Sequence, residues 1–347
     1  MSGDGGGSPG GLESRHAASL NGAGGSRDQV VEALRTGERF VVTTHEHPDG
    51  DALGSLAAMQ QVLCALGKDA VSYLSADEFP LPYEYRFLEV PRLVTEPPDD
   101  LGQRTVVFLD CGNIDRNSAE ELKQAPRILN VDHHHDNTHF GTIDHVVPDA
   151  SCTAEIVWDL MRDLGVELTQ PIAEALYVGV VTDTGRFMYE NTGSRAHVMA
   201  AELIAAGVDV QAVYRRLYEG VPQAKLELLA RGLANVERFD DGLLTVSHLR
   251  REDYESSGAD ESYSEGVVDH LRAVEGTAVA GLVRDLLTDG ASPRRKVSLR
   301  ATDDRIDVSS IARAQGGGGH RRAAGFSTDL EFPELVAFLR AELARQL

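Results

Sequence analysis

The chain has 347 residues, of which 42% are hydrophobic and 25% are charged, a balance typical of soluble proteins with about two domains. Its net charge of −22 argues against a protein that holds long duplex DNA by neutralising many phosphates. No apolar run approaches the ~20 residues of a membrane helix, so no membrane partner is expected. Cys64, Cys111 and Cys152 lie far apart without a CxxC pair, which favours a cytoplasmic location.

The start of the chain differs in composition from the remainder. Residues 1–26 are rich in Gly and Ser and contain no apolar core. This composition argues against a secretory signal and predicts a disordered tail.

Short apolar strands alternate with helical patterns through the first half of the chain, residues 27–193. Such alternation predicts a doubly wound, mainly parallel α/β sheet, whose ligands gather beyond the carboxyl ends of the strands. Strands are predicted at residues 39–44, 70–75, 105–109, 127–131 and 142–147, and helices at residues 52–66, 153–164 and 171–181.

The second half of the chain has a different pattern of predicted elements. Residues 194–239 are mostly helical and are predicted to form a connector. Residues 240–347 predict a smaller α+β domain. Its predicted elements are strands at residues 243–247, 277–287 and 296–301, a Gly-rich loop, and a helix over residues 333–347.

Acids and histidines recur where the predicted elements end. The loop after the first strand reads HEHPDGDALGS, with Asp49 and Asp51 on either side of Gly50. An aspartate there is also a good helix N-cap, so this segment alone leaves capping and metal binding open. Three further segments end in Asp110, in Asp132-His133-His134-His135 and in Asp183. Capping does not readily account for four such coincidences.

Carboxylates mixed with imidazoles favour two divalent metal ions. Mn²⁺ suits this ligand set, with Mg²⁺, Co²⁺ or Fe²⁺ as alternatives, and the lack of thiolates argues against structural zinc. Two ions ~3.5–4 Å apart can activate a hydroxide and stabilise the oxygens of an in-line phosphoryl displacement. The pattern therefore predicts phosphoester hydrolysis without an organic cofactor.

Four motifs together resemble those of the DHH phosphoesterase superfamily. HEHPDGDALGS, VVFLDCG, VDHHHDN and VTDTGRF occur in the family's order, and GGGGHRRAAGF resembles the signature of the DHH-associated C-terminal domain. The resemblance covers residues 28–347. It implies six metal ligands, with Asp110 bridging the two ions. These are His45, Asp49 and Asp110 for one ion, and Asp51, Asp110, His133 and Asp183 for the other.

The resemblance also implies roles for neighbouring residues. His134 would face the scissile phosphate as a stabiliser or general acid, and Asp132 would orient the histidines. His47 and His135 occupy variable positions of the family, so they are interpreted as incidental side chains.

A glycine run near the C-terminus suggests a second binding element. Residues 316–320 read GGGGH, and a run without side chains can bring backbone N–H groups close to a phosphate; a flexible linker is the alternative. Between residues 291 and 322 the sequence has eight basic residues and three acidic ones. The resemblance implies that Arg300, Gly318, Gly319 and His320 bind substrate.

The two-domain layout resembles the NrnA group, whose members hydrolyse short oligoribonucleotides (nanoRNA) and 3′-phosphoadenosine 5′-phosphate. The expected partners are therefore short oligoribonucleotides or small nucleotides, and family analogy suggests a homodimer. Two alternatives remain. One is a phosphodiesterase for cyclic di-AMP or a linear dinucleotide, and the other is an inactive nucleotide-binding regulatory module. The complete set of motif residues argues against the inactive module.

Overall fold

The computed structural model describes residues 13–288, 290 and 292–347. The chain divides into two compact units, unit 1 (Met1–Glu219) and unit 2 (Gly220–Leu347). This division falls inside the segment predicted as a connector, residues 194–239. Two helices of that segment lie in unit 1 and one lies in unit 2.

Unit 1 is built on a six-stranded sheet in which every neighbouring pair of strands is parallel. The strand order is β3-β2-β1-β4-β5-β6, and the prediction of a doubly wound α/β sheet is confirmed. The two-residue strand β3 was not predicted because it is too short to show a pattern. The strands are β1 (Arg39–Thr43), β2 (Asp69–Tyr73), β3 (Leu93–Val94), β4 (Thr105–Leu109), β5 (Ile128–Asp132) and β6 (Ile143–Val146).

Helices cover both faces of this sheet. Alternate residues of a strand point to opposite faces, so Phe40 and Val42 of β1 join one apolar core while Val41 joins the other. The larger core includes most of the helices, and Leu122 contributes to the smaller one. The helices are α1 (Glu13–Thr36), α2 (Gly50–Ala65), α3 (Glu120–Lys123), α4 (Thr153–Asp163), α5 (Gln170–Asp183), α6 (Ser194–Ala205) and α7 (Val210–Tyr218).

The N-terminal segment differs from the predicted tail. Residues 1–12 lie outside the described residues, but α1 begins at Glu13, so residues 13–26 are helical. The physical reason lies further along the helix, where Val30, Ala33 and Leu34 are fully buried in the core. Once packing has fixed that part, extending the helix toward the N-terminus needs only propagation, which composition alone does not reveal.

Unit 2 contains a mixed six-stranded sheet, and the prediction of an α+β domain is confirmed. Its order is β11-β12-β10-β9-β8-β7, with β8 and β9 parallel and the other pairs antiparallel. The strands are β7 (Val236–Phe239), β8 (Leu244–Leu249), β9 (Val279–Asp285), β10 (Arg295–Ala301), β11 (Gly318–His320) and β12 (Ala323–Thr328). The helices are α8 (Gln223–Ala234), α9 (Arg251–Ser257), α10 (Val267–Arg272), α11 (Val308–Arg313) and α12 (Phe332–Gln346).

The second part of the glycine run, residues 318–320, is a strand where a loop was predicted. Gly318 pairs with Gly325, and His320 pairs with Ala323, at the edge of the sheet. A Cβ atom on Gly319 would lie 2.6 Å from the Ala323 carbonyl oxygen, and Gly319 has a φ of +130°. This glycine is therefore required by the close approach of two strands, a requirement that the sequence pattern does not distinguish from loop flexibility.

None of the described helices is by itself long and apolar enough to cross a membrane. The bent pair α6 and α7, turned by 113°, meets the length and composition requirements only as a pair.

Two glycines set the distance between α2 and α5. A Cβ atom on Gly54 would lie 2.5 Å from the Ala175 carbonyl oxygen, and one on Gly179 would lie 2.8 Å from Asp51 Oδ1. Both distances are shorter than van der Waals contact. The glycines therefore let the start of α2 pack beside α5, so that Asp51 lies next to α5.

We expect Gly54→Ala to lower the free energy of unfolding by about 1–3 kcal/mol, because the added methyl group meets backbone atoms that cannot move aside. Gly102→Ala is the matched control, since a Cβ atom at Gly102 meets nothing within 4 Å. Urea denaturation of both variants measures the difference. Equal stability of the two variants would contradict the close-contact account.

Candidate metal centre

Side chains with acid and imidazole groups follow neighbouring strands at one edge of the unit 1 sheet. His45 follows β1, Asp110 follows β4 directly, and His133 and His134 follow β5. From β1 the chain runs outward through β2 and β3, whereas β4, β5 and β6 extend the other way. The cluster therefore lies at the switch point of the sheet, where doubly wound folds bind their ligands.

Asp110 lies at the centre of this cluster. Its carboxylate is buried, with Oδ2 3.6 Å from His45 Nε2 and Oδ1 3.6 Å from His133 Nε2. Thr153 Oγ1 donates a hydrogen bond to Oδ1 at 3.0 Å. The Asp110 backbone has a φ of +55°, a left-handed conformation that aspartate tolerates better than most residues. This conformation is held by its N–H, which donates to the Val131 carbonyl at 3.1 Å.

Two groups of potential ligand atoms lie side by side, and Asp110 of the first group is 3.6 Å from His133 of the second. In each group the atoms lie within 4.8 Å of one another, and His133 Nε2 connects the groups because it is also 3.8 Å from Asp183 Oδ2. The structure thus brings together all six side chains that were predicted as metal ligands. The first group is His45, Asp49 and Asp110, and the second is Asp51, His133 and Asp183.

A third group consists of Asp110, His133 and His134. In that group His134 uses Nδ1 to contact Asp132 Oδ1 at 2.7 Å. This hydrogen bond is consistent with the predicted orienting role of Asp132.

Two of the aspartates also stabilise helix starts. Asp49 Oδ1 accepts hydrogen bonds from the N–H groups of Asp51 and Ala52 at 3.0 and 3.1 Å, so capping and metal binding are compatible at this residue. Asp51 accepts from the N–H groups of Thr153 and Ala154 at 2.6 and 2.9 Å. The start of α4 thereby supplies two hydrogen bonds to this buried carboxylate.

Three residues that support the cluster were missed by the sequence reasoning. Asn137 donates to Asp132 Oδ2 at 2.6 Å, and Asn191 donates to Asp183 Oδ2 at 3.0 Å. Thr153 lies at the start of a predicted helix, which is a natural site for holding an anion and could have been found. Asn137 lies inside the VDHHHDN motif, whereas Asn191 lies in an irregular segment without a pattern.

The electrostatics of the cluster favour a bound cation. Burial and the neighbouring Asp110 raise the pKa of Asp51 well above its ordinary range, and burial raises the pKa of Asp183 to about 7. Burial alone would lower the pKa of His133, but Asp183 and Asp110 raise it to about 9. Burial would raise the pKa of Asp110, yet the hydrogen bond to His45 and the charges of nearby histidines keep it well below its usual range.

The donor chemistry fits hard divalent ions. Burial raises the pKa of Cys111 to about 12, so its thiolate is not available as a ligand at neutral pH. Carboxylate oxygens and imidazole nitrogens remain, which together can hold divalent metal ions.

The other predicted residues lie elsewhere. His135 and His47 are exposed, and the His47 N–H donates to Glu78 Oε2 at 2.8 Å. Arg300 is in β10, in register with Ala323 of β12, which in turn pairs with His320 of β11. Arg300 and His320 therefore lie on the same face of the unit 2 sheet.

Comparison with known proteins agrees with this geometry. Residues 39–180 match the model of the DHH family N-terminal domain, and residues 244–345 match the DHHA1 domain. The chain is 34% identical over 323 residues to the bifunctional oligoribonuclease and PAP phosphatase NrnA of Thermus thermophilus, covering 91% of this chain and 94% of that protein. It is 23% identical to the Bacillus subtilis protein of the same name, covering 87% and 93%.

Solved structures share the fold. An exopolyphosphatase-related protein from Bacteroides fragilis superposes with a TM-score of 0.82 at 22% identity, covering 92% of this chain and 96% of that one. RecJ of Thermus thermophilus in complex with Mn²⁺ superposes with a TM-score of 0.54 at 17% identity, covering 93% of this chain and 55% of RecJ. The sequence similarity, the two matched domains and the fold together show that this chain belongs to the DHH family.

Proposed function

We propose that this protein is a metal-dependent phosphoesterase that hydrolyses short oligoribonucleotides and 3′-phosphoadenosine 5′-phosphate. The observation that carries the proposal is the position of Asp110, whose two carboxylate oxygens lie 3.6 Å from His45 and His133 in the two ligand groups. A carboxylate placed in this way suits a bridge between two ions. The names of the relatives from Thermus thermophilus and Bacillus subtilis support the substrate class.

The proposed ligands are the six residues of the two neighbouring groups, with Asp110 as the proposed bridge, and Mn²⁺ is the proposed ion because the donors are hard oxygens and imidazoles. When bound, two such ions supply a Lewis acid for the phosphoryl oxygens and a nucleophile derived from water. Asn191 and Thr153 hold the carboxylates of Asp183 and Asp110 in place.

His134 is the proposed general acid. Burial would lower its pKa, but the hydrogen bond to Asp132 and the charges of Asp132 and Asp110 raise it above its ordinary value, which favours the protonated ring. With Nδ1 bonded to Asp132, Nε2 is the nitrogen that can give a proton to the leaving oxygen. Asp132 is thereby proposed to orient His134 and to favour its protonated form.

Unit 2 is proposed to bind the part of the substrate that does not react, through Arg300, Gly318, Gly319 and His320. This role suits the basic composition of residues 291–322. Cytoplasmic location remains a prediction from the separated cysteines, and homodimer formation remains a prediction from the family resemblance.

A substrate panel tests the proposed function. With Mn²⁺, we expect kcat/KM for a diribonucleotide and for 3′-phosphoadenosine 5′-phosphate to exceed that for cyclic di-AMP by at least about tenfold, roughly 1.4 kcal/mol in transition-state binding. The opposite order would replace the proposal with the signalling-dinucleotide alternative. An absence of turnover with every substrate would favour the regulatory module.

We expect Asp110→Asn to reduce metal-dependent kcat/KM by at least about 100-fold, because it removes the shared carboxylate while asparagine tolerates the left-handed backbone. Circular dichroism should show an unchanged fold. Asp115→Asn, at an exposed carboxylate, is the control and should hydrolyse close to the wild-type rate. Near-full activity of Asp110→Asn would refute the bridging role.

We expect Asp183→Asn to stabilise the metal-free protein. Asp183 has an ordinary pKa of 3.8, but in the folded protein the value is about 7. The metal-free protein therefore loses stability as the pH rises through this interval, and the loss levels off above it. Because one pKa unit corresponds to about 1.4 kcal/mol, the interval from 3.8 to about 7 sets an upper bound of about 4 kcal/mol on the gain of the variant at about pH 8, and the gain at about pH 4 should be small.

Thermal melting with and without Mn²⁺ measures how Asp183 affects both the stability of the metal-free protein and the stabilisation by metal. Mn²⁺ should raise the Tm of wild type more than that of Asp183→Asn, because a ligand that binds more tightly stabilises the folded state more. Asp115→Asn should behave as wild type under both conditions. A metal-free Asp183→Asn that melts below wild type would show that Asp183 has a structural role instead.

A further inference from the structure

Glu155 is a buried carboxylate close to the metal cluster but outside its ligand groups. It is the third residue of α4, and only 4% of its surface is exposed. Within the described residues, it belongs to none of the groups of potential ligand atoms. A buried charge is tolerated where its oxygens are paired, so the partners of the two Glu155 oxygens indicate which part of the molecule it stabilises.

The two oxygens of Glu155 link two separate segments. Oε2 accepts a hydrogen bond from the N–H of Ser151, two residues before α4 begins, at 3.1 Å. Oε1 accepts from Arg195 Nε at 2.8 Å, and Arg195 is the second residue of α6. One carboxylate therefore connects the turn that leads into α4 with the start of α6.

Arg195 is held on α4 by further contacts. Its Nη2 donates to Asp159 Oδ2 at 2.7 Å, and Asp159 lies one turn after Glu155 on the same face of α4. Its guanidinium carbon also lies 5.6 Å from the centroid of the Trp158 ring. Burial would lower the pKa of Arg195, but the hydrogen bond to Glu155 and the charges of Asp159 and Glu155 raise it. The start of α6 is therefore held against α4 by a charged group.

Asn191 lies between the two segments that Glu155 links. It belongs to the residues that connect α5 to α6, four residues before Arg195. Its Nδ2 donates to the Ser151 carbonyl at 2.9 Å and to Asp183 Oδ2 at 3.0 Å. Since Ser151 also donates its N–H to Glu155, a continuous chain of hydrogen bonds joins Glu155 to the carboxylate of Asp183.

The segment that carries Asn191 has an irregular backbone. Residues 184–193 connect α5 to α6 without a helix or strand, and within them Arg186 and Phe187 have φ values of +64° and +63°. A left-handed backbone is unfavourable for both residue types and persists only where surrounding contacts hold it. Glu155 and Arg195 supply such contacts at the end of this segment.

We propose that Glu155, paired with Arg195, is a positioning residue for the metal ligand Asp183. Together they fix both sides of Asn191, so that its amide donates to Asp183 Oδ2. Partners that orient a ligating carboxylate strengthen metal binding. The pair therefore raises the affinity for the ion held by the second ligand group, to which Asp183 belongs. This inference rests on the metal ligands of the proposed function.

Calorimetric titration of the metal-free full-length protein with Mn²⁺ tests the proposal. Glu155→Gln keeps the size of the side chain and removes the charge that pairs with Arg195. We expect it to weaken the binding of one Mn²⁺ ion by about tenfold or more, and that of the other by less than about threefold. Asp163→Asn removes the same charge from the end of α4, where the carboxylate pairs with Arg27, and should leave both affinities unchanged. Equal affinities for wild type and Glu155→Gln would overturn the proposal.

A double-mutant cycle separates positioning from a general structural role. Asn191→Ala removes the amide through which Glu155 is proposed to act. In that background Glu155→Gln should change the Mn²⁺ affinity by less than about twofold, because both residues act in one chain of hydrogen bonds. A further loss of about tenfold in that background, or equal weakening of both ions by Glu155→Gln alone, would show a structural role and overturn the proposal.

Arg195→Lys is a conservative variant of the other partner. Lysine keeps the positive charge but lacks the planar group that reaches Glu155 and Asp159 together, so its Mn²⁺ affinity should lie between those of wild type and Arg195→Met. Arg162→Met is the control, because Arg162 lies 4.8 Å from the same Trp158 ring and should not affect Mn²⁺ binding. Wild-type affinity of Arg195→Met would overturn the role of the pair.

Hydrolysis at two Mn²⁺ concentrations distinguishes this inference from the proposed function. With limiting Mn²⁺, Glu155→Gln should hydrolyse a diribonucleotide about tenfold more slowly than wild type, and saturating Mn²⁺ should restore kcat to within about twofold. A kcat that stays low at saturating Mn²⁺ would reject the positioning role and retain the proposed function. A wild type that binds two Mn²⁺ ions with the expected dependence on Glu155, but hydrolyses none of the substrates, would do the reverse.

Discussion

The close packing of three carboxylates around Asp110 is the constraint on which the site in unit 1 depends. Asp51, Asp110 and Asp183 are held together although burial and mutual repulsion raise the pKa values of Asp51 and Asp183. Such an arrangement is unfavourable for a metal-free protein. Divalent cations would convert this repulsion into attraction, so the same residues that reduce stability without metal become ligands with it.

The fold brings these charges together with few elements. The switch point of the parallel sheet places the ends of β1 and β4 side by side, which delivers His45 and Asp110. The helices α2 and α5 carry Asp51 and Asp183, and the close contact of the two helices requires Gly54 and Gly179. The glycines in the DGDALGS motif and in α5 thus serve the site by allowing helices to approach.

Much of unit 1 could be predicted from the sequence because its signals are local. Apolar strands that end in Asp or His predict both the sheet and the ligand positions. The six predicted ligands do lie together at one edge of the unit 1 sheet. Asn191 was missed because only a tertiary hydrogen bond to Asp183 shows its role, whereas the position of Thr153 at a helix start was a usable signal that the sequence reasoning did not take up. The strand at Gly318 was missed because a glycine run has no period.

In unit 2, too, the contacts of some residues could not be predicted from the sequence. Arg300 stood out because it lies in a strand of the family signature, whereas Arg284 lies in an apolar strand with nothing in the sequence to mark it. Its guanidinium donates to Ser264 and Ser298. Such hydrogen bonds are visible only when the contacts of the folded chain are known.

Anomalous diffraction from crystals of the full-length protein grown with Mn²⁺ tests the central claim most directly. The account predicts two manganese peaks about 3.5–4 Å apart, both in contact with Asp110, one also bound by His45 and the other by His133. A single peak, or two peaks that do not share Asp110, would contradict it.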